Sequence, residues 1–189
     1  MSIQLETLTN VKTHLDISTT SHDTMLTSLI KQVSASIEKF LNRSLSSAQY
    51  TEYFNGGRLH YYVKAYPIDT SKTLTVTVKD SAKTVNDDYY VWADDGLFEF
   101  ESEPSDSEPK IVKIVYTGGY TVTDGIIAVP DDLKRACTLE VVRAYRNRDK
   151  LGFTSVSYPD GNISTLSTKE FLPEVLPILQ RYRRSPTVR

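Results

Sequence analysis

One stretch constrains the fold more than any other. From Asp23 to Leu41, the residues Met25, Leu26, Leu29, Ile30, Val33, Ile37, Phe40 and Leu41 recur every three or four positions, with no Gly or Pro between them. That period predicts a helix of about 20 residues, roughly 30 Å long, with a broad apolar face that other elements must cover. Ser21 is placed to cap it, and Asp23 in its first turn suits the positive end of the dipole. Both ends of the chain offer partners. Leu8, Val11 and Leu15 follow Thr7 at helical spacing. Pro130-Asp131-Asp132 predicts a new helix with Pro at its first position. Its inner face is Leu133, Cys137, Val141 and Ala144/Tyr145, and Gly152 ends it. A last helix is expected from about Thr168 to Arg184, with Leu172, Val175, Leu176, Leu179 and Tyr182 on one side. Pro173 suits its first turn, whereas Pro177 is expected to kink or restart it, since the ring clashes with the carbonyl four residues back.

Between these helices the texture changes from period 3.6 to period 2. Tyr50 to Tyr66 is rich in Tyr, Phe and Val around Asn55-Gly56-Gly57, a hairpin signal. Leu74–Val78 and Ile111–Tyr116 alternate as half-buried strands, and the latter runs to Gly118-Gly119. Tyr89–Trp92 and Leu97–Phe100 flank Ala93-Asp94-Asp95-Gly96 as a second hairpin. The expectation is an α+β protein with an antiparallel β unit of five or six strands at about 50–120, inserted into a helical frame. Phe153 to Leu166 reads as a further hairpin or arm turning at Pro159-Asp160-Gly161. With 189 residues, 39% hydrophobic and 24% charged, the chain has material for a real core and reads as a single domain, 1–189. Its helical parts are 1–48 and 129–189, and the β insertion is about 50–127.

The formal net charge of −2 argues against gripping nucleic acid or acidic membranes as the main task. The charge is nonetheless unevenly divided. Residues 1–129 hold 17 acids and 11 bases, a net of −6, and residues 130–189 hold 7 acids and 11 bases, a net of +4. A single cysteine, Cys137, excludes an internal disulfide and a cysteine zinc site, and reads as a small buried hydrophobe. The start, Met1-Ser2-Ile3-Gln4-Leu5-Glu6, lacks the basic and apolar regions of a signal peptide, and no run approaches a membrane span. A chain made and kept in a cytoplasm is expected.

Chemistry finds little to hold. His14, His22 and His60 are scattered without metal-ligand spacing, no Gly-x-Ser-x-Gly elbow supports a nucleophile, and the glycine pairs belong to no phosphate loop. No enzyme activity and no cofactor are expected. Between Asn86 and Glu108 lie nine acids and no base, among them Asp94, Asp95, Glu99 and Glu101. A calcium site is conceivable there, but the spacing matches no EF-hand and a solvated face or a partner face is favoured. Tyr53, Tyr61 and Tyr62 belong to a tyrosine-rich segment that alternation cannot bury on one side, and Tyr suits interfaces as well as cores. With Arg143, Arg146 and Arg148 they form the candidate subunit interface. Arg181, Arg183, Arg184 and Arg189 make the basic end, which suits phosphates, an acidic neighbour or the last helix's own dipole.

The order of these features resembles a known family. Thr7–Leu15, then Asp23–Ile30, then Ile37-Glu38-Lys39-Phe40-Leu41-Asn42-Arg43 resemble the opening of head–tail connector (adaptor, head-completion) proteins of tailed bacteriophages. The likeness continues at Tyr66-Pro67-Ile68, at Val115-Tyr116-Thr117-Gly118-Gly119-Tyr120 and in Val129–Ala136 running into Tyr145-Arg146-Asn147-Arg148. It closes at Leu179-Gln180-Arg181-Tyr182-Arg183-Arg184. It spans nearly the whole chain, carried by the order of several weak patterns.

The resemblance implies a structural virion protein at the head–tail junction, assembled in the bacterial host cytoplasm. It implies a ring, usually of 12 subunits, beneath the portal protein, extending the DNA channel toward a stopper or tail-completion protein. DNA passes without sequence-specific binding, and no membrane is involved. The C-terminal segment, about 168–189, is the expected portal-docking part, with Leu172, Leu176, Leu179, Tyr182, Arg183 and Arg184 as contacts. Its removal after Thr168 is expected to abolish portal binding and leave the fold largely intact. Asp94, Asp95, Glu99 and Glu101 are the expected acidic lumen or partner face. The alternatives are a stopper or tail-completion protein of the same neck, or a small module whose tyrosine-rich hairpin binds carbohydrate or protein. A monomer with saturable ligand binding and no rings favours that module.

Overall fold

The computed structural model describes residues 4–104, 108–150, 155–157, 163–165 and 170–184. The helices are α1 (Leu8–Leu15), α2 (Asp23–Leu41), α3 (Asp131–Arg146) and α4 (Leu176–Tyr182). The strands, in chain order, are β1 (Ala48–Phe54), β2 (His60–Tyr62), β3 (Thr75–Val78), β4 (Ser81–Lys83), β5 (Tyr89–Trp92), β6 (Leu97–Phe100), β7 (Val112–Gly118), β8 (Val122–Thr123), β9 (Ile126–Ile127), β10 (Ser155–Ser157) and β11 (Ile163–Thr165). The chain is therefore α+β with antiparallel sheets. It divides into two compact units: Met1–Leu41 with Val129–Arg183, and Asn42–Ala128 with Arg184–Arg189.

The helical unit is organised by α2. Leu26, Ile30, Ile37 and Leu41 are fully buried along its centre, while Met25, Leu29, Val33 and Phe40 flank them half-buried. Each fully buried aliphatic side chain contributes roughly 1.5–3 kcal/mol over an exposed one. The stripe has a polar member that the period does not show. Ser34 is buried in its middle, where its hydroxyl accepts from the Leu5 N–H at 3.0 Å and lies 3.8 Å from Cys137 Sγ. Thr7 caps α1 as expected, accepting from the Asn10 N–H at 3.1 Å. Ser21 lies two residues before α2; its hydroxyl is 3.1 Å from that of Thr19. Asp23, in the first turn, is paired with Lys12 Nζ at 2.7 Å.

The later helices correct three expectations. Pro130 stands at the N-cap of α3, one position outside the helix, where its carbonyl accepts from Leu133 and Lys134 N–H groups. The helix stops at Arg146 with Asn147 as its cap, ahead of a 3-10 turn at Arg148–Lys150; Gly152 lies outside the described residues. The last helix starts later than expected, at Leu176; of the two outcomes expected for Pro177 the restart holds, since it sits in the first turn of α4, where no intrahelical amide is required. The segment before it turns at 173–175, and Thr168 lies outside the described residues. Strands β10 and β11 pair antiparallel, in line with the further hairpin or arm expected over Phe153 to Leu166, with Pro159-Asp160-Gly161 outside the described residues.

Burial in the last segment overturns the expectation that it can be removed cleanly. Phe171, Val175 and Leu179 are buried, and the Phe171 ring meets Phe40 edge-on at 5.2 Å. Truncation after Thr168 would strip part of the helical core along with any docking surface.

The β unit holds two principal sheets, in orders β1-β7-β3-β4 and β2-β6-β5, with a small β8-β9 ribbon. Val112, Ile114 and Tyr116 alternate inward along β7 and cluster with Tyr61, Val76, Tyr89, Phe98 and Phe100. Phe98 and Tyr116, from different sheets, lie 6.3 Å apart, and Tyr61 meets Phe100 at 5.2 Å. The expected hairpin around Asn55-Gly56-Gly57 is not formed. Strand β1 pairs with β7, Phe54 opposite Val112, while β2 pairs with β6. The Gly56 and Gly57 amides donate to the carbonyls of Glu108 and Pro104, so this turn carries the chain from one sheet to the other. The expected β5–β6 hairpin is present, turning through Gly96 at φ +65°. Gly119 is required at φ +103°, since a Cβ there would stand 2.5 Å from the Ser46 carbonyl oxygen.

Candidate assembly surfaces

The C-terminal segment is held by α3 through buried polar groups. Glu140, itself buried, accepts from the Leu172 N–H at 2.6 Å and pairs with Arg143 at 2.7 Å. Burial raises its carboxyl above the ordinary range, against the opposing pull of that amide and of Arg143. Arg143 also donates to the Glu170 carbonyl at 2.8 Å, and Tyr182 OH donates to Asp132 at 2.8 Å. Arg183 stacks over the Phe40 ring at 5.0 Å. Of the docking candidates, Leu179 is wholly inside and Leu172, Leu176 and Tyr182 are half-buried, while Arg183 and its neighbour Arg181 are exposed. Arg184 belongs to the β unit, where it donates to the Tyr62 carbonyl at 2.6 Å.

The three arginines proposed for a subunit interface separate by environment. Arg143 is engaged as above. Arg148 folds back, with its guanidinium 4.3 Å over the Tyr145 ring and a 2.8 Å bond to the Tyr145 carbonyl. Arg146 is exposed on α3, as is Arg135 eleven residues earlier. That spacing puts both near one side of the helix, about 16 Å apart.

The tyrosine candidates separate as well. Tyr61 is 2% exposed and belongs to the core, so it offers no surface. Tyr53 and Tyr62 are 54% and 44% exposed. Sequence reading missed their companions: Tyr90 at 43% and Trp92 at 54%. The register aligns them. On the outer face of β2-β6-β5, His60, Glu99 and Tyr90 form one row, and Tyr62, Leu97 and Trp92 the next. Glu99 ties the face together, accepting from Trp92 Nε1 at 2.9 Å and lying 3.5 Å from His60 Nε2. Alternation along β2 and β5 was the available signal. Asp94 and Asp95 are exposed in the β5–β6 turn, and Glu101 is exposed after β6.

A further missed residue is Arg43. It is buried, stacks 3.4 Å over the Tyr66 ring, and donates to the Tyr66 carbonyl. It acts as an internal clamp of the β unit. Cys137 is buried as expected, and its thiol is pushed up to about 12 by desolvation. Among the described residues no group of three His, Cys, Asp or Glu side chains is placed to hold a metal ion, and no helix is long and apolar enough to cross a membrane.

The fold occurs in solved phage-like particles. A chain from the neck of an empty GTA particle, computed with C6 symmetry, superposes with a TM-score of 0.58 at 18% identity, covering 96% of this chain and 90% of that one. A chain from the neck of a native GTA particle, computed with C12 symmetry, gives 0.55 at 16% identity with the same coverage. A chain from the virion of a native gene transfer agent gives 0.53 at 18% identity, again over 96% and 90%. Among curated proteins no match is found. The family model for head completion proteins matches residues 4–185, nearly the whole chain, and the protein belongs to the head completion protein family.

Proposed function

We propose that this protein is a structural virion subunit that forms a closed ring at the neck of a phage or phage-like particle. The ring joins the portal of the DNA-filled head to a stopper or tail-completion protein and extends the DNA channel. The whole chain, 1–189, serves as one connector domain, and the protein performs no catalysis. The observation that carries this reading is the family match over residues 4–185, supported by a fold shared with chains from particle necks solved with C6 and C12 symmetry. Twelve subunits is the proposed stoichiometry, with which C12 and C6 symmetry are both consistent.

The division of charge fits the role. An acidic β unit lets DNA slide without being gripped, and Asp94, Asp95, Glu99 and Glu101 would form a lumen or partner face. The basic C-terminal segment would dock on the portal, with Leu172, Leu176, Tyr182, Arg183 and Arg184 as the proposed contacts. Because Phe171 and Leu179 are core residues, the test is substitution rather than truncation. Arg183→Glu should remain folded, with its melting temperature lowered only slightly by the loss of its stack on Phe40, and lose co-sedimentation with portal rings. Undiminished portal binding by that folded variant would defeat the docking assignment.

A further inference from the structure

Among the described residues of its unit, none covers the rings on the outer face of β2-β6-β5. Tyr62, Tyr90 and Trp92 are each at least 43% exposed, and strand spacing places Tyr62 and Trp92 about 10 Å apart across β6. Large aromatic rings clustered on one exposed sheet face mark an interaction surface rather than ordinary solvent exposure. Carboxylates surround the rings: Glu99 lies among them, Asp94 and Asp95 at the adjoining turn, and Glu101 just beyond β6. A face that combines ring surfaces with negative charge is suited to guanidinium groups, which stack on rings and pair with carboxylates at once. This chain uses that contact internally, with Arg43 over Tyr66, Arg148 over Tyr145 and Arg183 over Phe40.

The same chain carries the complementary surface. Arg135 and Arg146 project from one side of α3, both exposed, in the part of the sequence with net charge +4. We infer that the β2-β6-β5 face of one copy is covered by the Arg135/Arg146 side of α3 of a second copy. This rests on the ring reading above, and it names the contact. Two different surfaces meet head to tail, which is the interface type that closes into a ring by rotation. Arg146 packs against Trp92 and Tyr62, with Asp94 and Asp95 supplying charge at the edge. Attraction of this kind is partly screened by salt, so the rings weaken as ionic strength rises.

Trp92 is the only tryptophan in the chain, so its fluorescence reports on this face alone. The experiment follows Trp92 emission and acrylamide quenching of the full-length protein across a dilution series, with light scattering giving the mass of each species. Arg146→Glu and Arg146→Lys are run beside it, with melting temperature as the check on folding. The expected result is a blue shift and loss of quenching when rings form. Arg146→Glu should weaken assembly by about 3- to 30-fold at unchanged melting temperature, the range given by loss of one stacked cation. Arg146→Lys should fall between the two. Rings in which Trp92 stays as open to quencher as in the monomer overturn this contact and leave the ring reading standing. Rings that shield Trp92 but ignore Arg146→Glu overturn the choice of α3 as the cover. A chain that never leaves the monomer overturns both readings.

Discussion

The helical unit and the β unit solve the same packing problem in opposite ways. In the helical unit even polar groups are drawn inside and given partners: Ser34 receives the Leu5 amide, Glu140 receives the Leu172 amide, and Glu6 accepts from Asn10 and Thr138. Its terminal segment is stitched to α3 by side chains. The β unit buries one face of its three-stranded sheet and leaves Tyr62, Tyr90 and Trp92 outside. Buried polar groups need satisfied partners, which makes the first arrangement specific and self-contained. Exposed aromatic rings on a regular sheet make the second incomplete. The difference assigns stability chiefly to one set of residues and association to another.

Breaking the helical unit should have the largest effect. Phe171→Ala removes a buried ring packed on Phe40 and should cost about 3–5 kcal/mol, read as a lower denaturant midpoint. Next comes the β unit's backbone. Gly119→Ala places a Cβ against the Ser46 carbonyl at a positive φ and should cost at least about 1–3 kcal/mol, also by chemical denaturation. A smaller, pH-dependent effect separates buried from exposed groups inside the helical unit. The folded Cys137 thiol holds its proton up to about 12, whereas an unfolded thiol loses it near 8.5. Its contribution is fully present below the unfolded value and is lost as pH rises toward the folded one. Cys137→Ala should flatten the alkaline fall in melting temperature, and the native thiol should resist alkylation until the chain unfolds. The smallest stability effect is expected on the exposed face of β2-β6-β5. Tyr62→Ser with Tyr90→Ser should change folding stability by no more than about 0.5 kcal/mol per site while weakening assembly. A large loss of stability there would place these rings in the core's service instead.

The helices were legible because a 3.6-residue period is a local signal. What escaped was what period alone does not carry: Ser34 inside the buried stripe, and the start of α4 at Leu176 rather than near the expected Thr168. Strands show the same limit more sharply. Alternation marked β3 and β7 and the Ala93-Asp94-Asp95-Gly96 turn marked β5 and β6, yet Asn55-Gly56-Gly57 predicted a hairpin that does not form, because β1 takes its partner from β7 far along the chain. Non-local pairing leaves little trace in a turn. Of the candidate surfaces, the acidic turn and the exposed arginines could be named from residue types. Tyr61 and Tyr62 are adjacent, and only the sheet register turns one inward and the other out. Tyr90 and Trp92 became part of a surface only once β5 was laid beside β6. Arg43 gave no sign that its guanidinium would be buried against Tyr66.

A ring in a particle neck is the role proposed for this chain. Electron microscopy of the full-length protein mixed with portal assemblies tests it most directly. Closed rings of this chain, seated coaxially on the portal with twelvefold symmetry, are the expected result. Portals that remain bare, with the protein monomeric beside them, would contradict it.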